Sequence, residues 1–401
     1  MTVAELLLVA DGAGVLASAC RALPHETSGA GLEAWAARVF GEGVWLLHDG
    51  GLWAGRGCGP LRFERRAGGA VPGGTGPAGA AAPPLPGERS WQRAGWRDGV
   101  TAWAQGVLGA PVTRCAWVHA SDVGAVVVLD GPAGRAFLKV GEDAREVVAA
   151  RWVARHFPHG SADLLGTDTA RGLLLTRDAG TALLGSADLN DWRRAVRRMA
   201  DLHTLPLDGG GAEGLPVQAF AALPGRLEGL LREDVLLGWG MTDAQVQRAL
   251  AARPAVLDAH ARVTAACPRA APCHGDLHAN NVLVPPARTP GDARLFDWSE
   301  AHVGQPLMDV GWFLAFVMLP FRADLPVRAA YPDLAERLWD GYRDAAGLDT
   351  ALPWRDVALL SLYARAAAYD ARYRAWSGTV PGFRPLYAPY ALRTAAHFAP
   401  A

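Results

Sequence analysis

The residues best suited to chemistry lie in one short segment, in which Asp276 is followed five positions later by Asn281. A carboxylate can accept the proton of a hydroxyl group, and an amide oxygen can ligate a magnesium ion. A second acid, Asp297, follows the apolar pair Leu295-Phe296 and is expected at the end of a neighbouring strand. Together these side chains suit the transfer of a charged group to a hydroxyl, with a metal ion neutralising the charge.

This segment also matches a known catalytic loop. It runs Cys-His-Gly-Asp-Leu-His from 273 to 278, and its Asp and Asn have the spacing of the phosphotransferase loop H-R-D-x-x-x-x-N, with Gly275 replacing the arginine. Together with Phe-Asp-Trp at 296–298, it resembles the aminoglycoside phosphotransferase and choline kinase family over roughly residues 91–400. The resemblance implies a bilobal protein-kinase-like α+β fold, with a sheet-rich N-lobe and a helical C-lobe. It also implies ATP-dependent phosphorylation of a small molecule.

The resemblance assigns a role to each residue of the motif. It implies that Asp276 orients the acceptor hydroxyl and accepts its proton, and that Asn281 and Asp297 hold Mg²⁺. His274 is expected to brace the loop from behind, and Asp309 to tie loops together from the start of a helix. The alternative is that this segment is an ordinary polar turn between two strands. That alternative does not explain why Asp276, Asn281 and Asp297 occur at matching positions in two separate segments.

The loop departs from the family at one point. Family members often carry Pro-Gly where this chain has Ala279-Asn280. Asparagine tolerates the left-handed backbone that glycine would otherwise supply, so we expect the loop to keep its shape.

Lys139 is the only lysine in the chain, and every other one of the 39 basic residues is an arginine. It lies in the apolar run 136–140, a predicted strand, where kinases place the lysine that holds the α- and β-phosphates of ATP. A helix is predicted over 144–154, and the resemblance implies that Glu146 in its first turn pairs with the lysine. Glu142 is a second candidate, in the connecting loop. The alternative is that both residues have ordinary roles. Lys139 would then lie on an exposed strand face by chance, and Glu146 would only complement the helix dipole.

Three further residues are assigned to nucleotide binding. Ser121 lies between two predicted strands, where a phosphate-covering loop is expected, although the segment lacks G-x-G-x-x-G and an ordinary hairpin turn fits equally well. Thr176 and Asp178 lie at the end of the next predicted strand, in the connection where family members bind adenine through backbone groups.

Composition narrows the class of protein. A formal charge of −1, without a basic run, argues against nucleic acid as the main partner. Five scattered cysteines argue against a disulfide framework and favour the cytoplasm. The longest apolar stretch, near 310–321, is too short to span a membrane. The set Cys267, Cys273, His274 and His278 lacks the paired spacing of a zinc module, so zinc is disfavoured.

The chain is predicted to divide into four parts. Residues 1–66 form a small α/β accessory domain, 67–87 a Gly/Pro/Ala linker, 88–180 the kinase-like N-lobe and 181–401 the helical C-lobe with the catalytic loop. Long helices are predicted at Leu189–His203, Asp243–Cys267, Leu307–Met318, Leu334–Ala345 and Trp354–Trp376.

The acceptor is expected to be a small hydroxylated metabolite or antibiotic, but the sequence does not identify the compound. Aminoglycosides require an acidic pocket, whereas the C-terminal half is balanced in charge. Choline requires an aromatic cage, for which the sequence offers several residues that suit a helical core equally well: Trp298, Trp312, Tyr363, Tyr369, Tyr373 and Trp376. Two other functions stay open: a nucleotide-binding pseudokinase acting as a scaffold or sensor, and a transferase acting on protein.

Overall fold

The computed structural model describes residues 3–10, 13–22, 35–36, 38, 44–48, 61–65, 89–93, 95–120, 124–141, 144–207, 213–285, 292–377 and 387–398. The chain forms two compact units, one of residues 1–147 and 164–178 and the other of residues 148–163 and 179–401. Ser121 and the expected linker at 67–87 lie outside the described residues, so the boundaries at 66 and 87 stay predictions.

The first unit begins with a four-stranded sheet. Its strand order is β2-β1-β4-β3, with β1 parallel to β4 and the other neighbours antiparallel. The strands are β1 (Val3–Ala10), β2 (Ala13–Ala22), β3 (Val44–His48) and β4 (Leu61–Arg65).

A five-stranded antiparallel sheet of order β5-β6-β7-β9-β8 completes the first unit. Every second residue of its central strands is buried, as in Val127 of β6 and Leu138 of β7, because side chains alternate between the two faces of a strand. The elements are α1 (Trp96–Leu108), β5 (Arg114–Ala120), β6 (Gly124–Asp130), β7 (Ala136–Gly141), β8 (Leu164–Asp168) and β9 (Leu173–Arg177). The helix α2 (Arg145–His156) begins in the first unit, and its residues from 148 onward belong to the second.

The second unit is mostly helical. Its helix α8 is buried over nearly its whole length and packs against α11, so these two form the centre of the core. The helices are α3 (Leu189–His203), α4 (Leu223–Leu230), α5 (Glu233–Gly238), α6 (Asp243–Ala251), α7 (Arg253–Ala266), α8 (Leu307–Met318), α9 (Pro326–Ala330), α10 (Leu334–Ala346), α11 (Trp354–Ser377) and α12 (Tyr387–Ala395). No helix of the described residues combines the length and apolarity needed to cross a membrane.

Two small antiparallel ladders hold the loops of the second unit. The strand β11 pairs with β14, and β12 lies between β10 and β13. Residues 274–281 therefore run from one ladder to the other, and residues 296–301 return between the same two ladders. The strands are β10 (Thr181–Ala182), β11 (Ala271–Cys273), β12 (Val282–Val284), β13 (Arg294–Leu295) and β14 (His302–Gly304).

Candidate active site

The entry to the loop 274–281 is fixed by Asp309, in the first turn of α8. Its carboxylate accepts hydrogen bonds from the backbone N–H groups of His274 (2.6 Å) and Gly275 (2.8 Å), and from the ring of His203 (3.2 Å). Burial alone would raise the pKa of Asp309, but the hydrogen bond from His203 and the charges of the surrounding histidines lower it to about 2. An ionised carboxylate therefore holds the start of the loop.

Gly275 occupies a position that only glycine fits. Its φ is +84°, a left-handed conformation, and a Cβ there would lie 2.1 Å from the carbonyl oxygen of Glu300. The missing side chain lets the segment around residue 300 pack directly on the loop. Packing thus explains why this chain has glycine where protein kinases have arginine.

His274 joins the catalytic loop to the returning segment. It is fully buried, and its Nδ1 accepts from the backbone N–H of Asp276 (3.3 Å), so Nε2 is the protonated nitrogen that donates to the carbonyl of Phe296 (2.8 Å). Its ring lies 4.7 Å from that of Trp298. These contacts connect residue 276 to the neighbour of residue 297, and the bracing role of His274 stays a prediction.

Asp276 is held through one of its two carboxylate oxygens. Its Oδ1 accepts from Trp312 Nε1 (3.1 Å) and from Arg365 Nη2 (2.6 Å). The other oxygen, Oδ2, lies 3.8 Å from His278 Nε2, beyond hydrogen-bond distance. The side chain is 27% exposed, so it is both oriented and accessible.

Arg365, on α11, is a residue of this site that sequence reasoning missed. Its Nη1 donates to the carbonyl of Gly275 (2.8 Å), and its guanidinium lies 4.3 Å from the ring centre of Trp312. Burial acts to lower the pKa of Arg365, but the charge of Asp276 and the contact with Tyr369 raise it overall. An arginine within a long amphipathic helix gives no sequence signal of such a contact.

Asn281 and Asp297 are brought together by the β12–β13 ladder, since the N–H of Phe296 donates to the carbonyl of Asn281 (3.1 Å). The Nδ2 of Asn281 donates to the backbone oxygen of Asp276 (2.9 Å), so its Oδ1 is the atom that suits a cation. Asp297 has φ +65°, and among the described residues it is the one non-glycine residue with positive φ. Such strain persists where the surroundings fix it, often at functional sites.

These two side chains fit a magnesium ion. Mg²⁺ is bound in such sites by one or two carboxylates, and waters and substrate phosphates complete the octahedron. The carboxylate of Asp297 and the amide oxygen of Asn281 are hard oxygen donors of this kind. The hydroxyl of Ser299 donates to Asp297 Oδ1 (2.8 Å), which orients the carboxylate.

The expectation of a left-handed Asn280 was wrong. Residues Ala279–Asn281 form a short 3₁₀ helix without a left-handed residue, and the N–H of Asn280 donates to the Nδ1 of His278 (3.2 Å). Burial lowers the pKa of His278 to about 4, because its ring stacks on Phe316 at 4.6 Å. A side-chain cap thus does what the left-handed residue was expected to do.

In the first unit, Lys139 and Glu146 form an ion pair. The lysine Nζ lies 2.9 Å from each carboxylate oxygen, and Glu146 is 7% exposed. Strand β7 and the first turn of α2 position the two side chains. Thr176 lies opposite Phe137 in the sheet, and the N–H of Asp178 donates to the carbonyl of Arg135 (3.1 Å).

The zinc quartet considered from the sequence is not gathered. Within the part of the chain that the structure describes, the metal-ligand side chains that cluster are His203, Cys273 and Asp309, all buried. The ring of His203 and the carboxylate of Asp309 are engaged in hydrogen bonds, such as that of His203 Nδ1 with Tyr342 (2.8 Å). We attribute the cluster to support of the catalytic loop.

A cavity in the second unit borders the catalytic loop at Gly275. Its lining carries two arginines, Arg226 and Arg365, two acids, Glu300 and Asp309, and the aromatic side chains of Phe220 and Tyr369. It also includes two loop amides, Gln218 and Gln305, the ring of His302 on β14, the hydroxyl of Ser361 on α11, and apolar side chains of α4, α8 and α11.

Two aromatic residues considered for a choline cage belong to the core instead. Trp298 is 3% exposed and Tyr363 is 1% exposed, and the hydroxyl of Tyr363 donates to the carbonyl of Ala249 (3.0 Å). Both are committed to packing inside the second unit, and neither lines the cavity beside the loop.

Comparisons with known proteins agree on the fold. The model of the phosphotransferase enzyme family (APH) matches residues 118–349. A candidate aminoglycoside phosphotransferase from Ralstonia eutropha superposes with TM-score 0.52 at 14% identity, covering 75% of this chain and 97% of the other. A macrolide 2′-phosphotransferase from Brachybacterium faecium gives 0.51 at 17% identity (74% and 97% covered), and a choline kinase from Streptococcus pneumoniae gives 0.50 at 12% (75% and 98%). No curated protein sequence matches the chain.

The predicted fold class is therefore confirmed: a protein-kinase-like α+β fold with a sheet-rich N-lobe and a helical C-lobe. The α/β accessory domain that was expected to precede it stays a prediction.

Proposed function

Since the chain belongs to the phosphotransferase enzyme family and is a small-molecule kinase, we propose that it transfers the γ-phosphoryl group of ATP to a hydroxyl, with Asp276 as the catalytic base. The observation that carries this proposal is the geometry of the Asp276 carboxylate. One oxygen is held by two donors, and the other has no donor within hydrogen-bond distance among the described residues. An oriented, accessible carboxylate in this loop suits proton abstraction.

The chain's own residues supply each part of the reaction. Asp276 Oδ2 accepts a hydrogen bond from the acceptor hydroxyl and takes its proton as the new O–P bond forms and the bond to the ADP oxygen breaks. His278 is neutral at physiological pH, because its pKa is lowered to about 4, and so adds no charge beside the base. Holding the hydroxyl in line with the phosphoryl group accounts for much of the expected acceleration.

The metal site consists of Asn281 and Asp297. Their oxygens would hold Mg²⁺, which when bound supplies positive charge to the phosphate oxygens. The hydrogen bonds from Asn281 to the backbone of Asp276 and from Ser299 to Asp297 support this assignment, since both orient the oxygens.

For the first unit, we propose that Lys139 holds the α- and β-phosphates and that Glu146 orients its ammonium. The 2.9 Å contacts with both carboxylate oxygens support this role, as does the low exposure of Glu146. Thr176 and Asp178 are proposed to contribute backbone groups to adenine binding. The assignment of Ser121 to phosphate contact stays a proposal from the sequence alone.

The acceptor is proposed to be a small hydroxylated metabolite or antibiotic that is not a polycation. The lining of the cavity beside the loop balances two arginines, Arg226 and Arg365, against two acids, Glu300 and the buried Asp309. Such a lining lacks the excess of negative charge that a compound with several ammonium groups requires. We propose that part of this acceptor occupies the cavity.

A nucleotide-binding scaffold or sensor is the alternative. It would keep the Lys139–Glu146 pair and the magnesium ligands, but it would not need an oriented base. The 2.6 Å bond that fixes Asp276 favours an enzyme over a scaffold.

The experiment is a screen for acceptors. The protein is incubated with Mg–ATP and a panel of neutral sugars, amino sugars, macrolides, amino alcohols and hydroxy acids, and ADP formation and product mass are measured. At least one compound should gain about 80 Da, the mass that a phosphoryl group (PO₃H) adds. Tight Mg–ATP binding without ADP formation across the whole panel would favour the scaffold.

A further inference from the structure

The contact between Arg365 and the catalytic loop is unlike an ordinary surface ion pair. The Nη2 of Arg365 donates to Asp276 Oδ1 (2.6 Å), and its Nη1 donates to the carbonyl of Gly275 (2.8 Å). Two nitrogens of one planar fork thus hold two groups on consecutive residues. A guanidinium has the rigid geometry needed for this, whereas an ammonium offers a single point of charge.

The guanidinium is itself fixed in place. It lies 4.3 Å from the ring centre of Trp312 and 5.2 Å from that of Tyr369, and its Nη2 also donates to the Tyr369 hydroxyl (2.7 Å). The side chain is only 13% exposed, although it carries a full charge. Cation–π contacts on two rings and the charge of the Asp276 carboxylate compensate for the lost hydration.

A second donor acts on the same oxygen. Trp312 Nε1 donates to Asp276 Oδ1 at 3.1 Å, so this oxygen receives two hydrogen bonds, from α8 and from α11. Hydrogen bonds to an oxygen stabilise its negative charge and make it a poorer proton acceptor than an oxygen without them. The two oxygens of Asp276 are therefore chemically different before any substrate binds.

We propose that Arg365 is a positioning residue for phosphoryl transfer, which saturates Oδ1 of Asp276 and thereby presents Oδ2 to the acceptor hydroxyl. This inference rests on the proposed function of Asp276. In the step concerned, the hydroxyl proton moves to Oδ2, the hydroxyl oxygen bonds to the γ-phosphorus, and ADP leaves with the electrons of the broken P–O bond. Arg365 takes no part in the bonds that form and break, and it acts on the transfer through Asp276.

A purely structural role makes a different prediction. A residue that only fastens α11 to the loop would lower stability when changed, and activity would fall in proportion to the folded fraction. A positioning residue instead lowers the rate of transfer while Mg–ATP still binds, because Lys139, Asn281 and Asp297 are untouched.

The test uses the full chain with Mg–ATP alone, water serving as the hydroxyl acceptor, and ADP formation as the readout. Arg365→Lys keeps the charge but loses the fork, and we expect ADP formation to fall roughly ten- to hundredfold, the effect of losing one charged hydrogen bond. The Kd for Mg–ATP and the melting temperature should stay close to those of the wild type. Arg355→Ala, an exposed arginine of the same helix, is the matched control and should leave the rate unchanged.

Trp312→Phe provides an independent variant, since it keeps a ring against the guanidinium and removes only the N–H bonded to Oδ1. We expect a smaller fall in ADP formation, roughly three- to tenfold. Crystal structures of both variants should show the Asp276 carboxylate rotated away from its wild-type orientation.

Several results would overturn the proposal. Wild-type ADP formation by Arg365→Lys would do so, as would an unmoved Asp276 carboxylate in both variants. A loss of rate matched by an equal loss of Mg–ATP affinity or of folded protein would show a structural role only. If the wild type forms no ADP with water, nor with any compound of the acceptor screen, the proposed function fails, and the carboxylate orientation alone then decides the role of Arg365.

Discussion

Replacing Asp309 by asparagine should both destabilise the protein and abolish the order of its catalytic loop. The carboxylate accepts from the N–H groups of His274 and Gly275, and an asparagine amide must turn its own NH₂ group toward one of these donors. One buried N–H then loses its partner, which costs about 1 to 3 kcal/mol.

The pKa of Asp309 reports a separate contribution, from the hydrogen bond of His203 and the charges of the surrounding histidines. The fall in the pKa of Asp309 from 3.8 to about 2 corresponds to about 2 kcal/mol of stability contributed by the ionised form. Because the folded pKa lies below the unfolded one, this contribution is fully present above about pH 5 and is lost as the pH falls through about 2. We therefore expect Asp309→Asn to lower the free energy of unfolding by about 2 to 4 kcal/mol at pH 7.

Urea denaturation followed by tryptophan fluorescence measures the change, and amide hydrogen exchange in peptides covering residues 274–281 locates it. Asp340→Asn is the control, since Asp340 makes a similar 2.6 Å bond to Arg343 but is 58% exposed, so no measurable change is expected. The difference between wild type and Asp309→Asn should not shrink from pH 8 to pH 5, because the carboxylate of Asp309 stays ionised over this range. A difference below about 0.5 kcal/mol, or one that already shrinks near pH 6, would refute the reasoning.

Three further outcomes follow from local geometry. Gly275→Ala should unfold or inactivate the second unit, since its Cβ would meet Glu300 O at 2.1 Å with φ at +84°; an active, stable variant, judged by melting temperature and ADP formation, would contradict this. Lys139→Arg should weaken Mg–ATP binding and turnover nearly as much as Lys139→Ala, because a guanidinium does not fit the place of an ammonium beside Glu146. Wild-type values for the arginine variant would count against the role of the lysine. Cys273 should resist iodoacetamide in the native protein and react in urea, because burial raises the pKa of its thiol; peptide mass spectrometry would detect any native labelling that refutes this.

The sequence predicted the regular elements well where the periodic pattern was strong. The helices at Leu189–His203 and Leu307–Met318 have the predicted bounds, because each pairs a continuous apolar face with clear ends. The helix predicted over Asp243–Cys267 is divided instead into α6 and α7, since Pro254 lies in the first turn of the second helix and begins it.

The site was predictable only in part, for a physical reason. The sequence singled out Asp276, Asn281 and Asp297, because the proposed chemistry fixes their types and their local spacing. Arg365 is 89 residues from Asp276 along the chain, and only the packing of α11 against α8 brings it to the carboxylate. Contacts of this kind depend on tertiary structure and leave no pattern in a single sequence.

The same limit applies to Gly275. In the sequence, the glycine at position 275 was only a departure from the protein-kinase loop. The structure shows why a glycine is needed there, because the carbonyl of Glu300 approaches closely. The close contact between the backbones of Gly275 and Glu300 forms only when the two ladders fold, so the sequence does not predict it.

The central claim is that Asp276 is the base of a phosphoryl transfer, and Asp276→Asn tests it most directly. An amide has nearly the same shape as the carboxylate but cannot accept the hydroxyl proton, so turnover of Mg–ATP with an acceptor from the screen should fall at least about a hundredfold. Binding of Mg–ATP should be nearly unchanged, because the proposed nucleotide and metal ligands are other residues. Wild-type turnover by a folded Asp276→Asn variant would contradict the account.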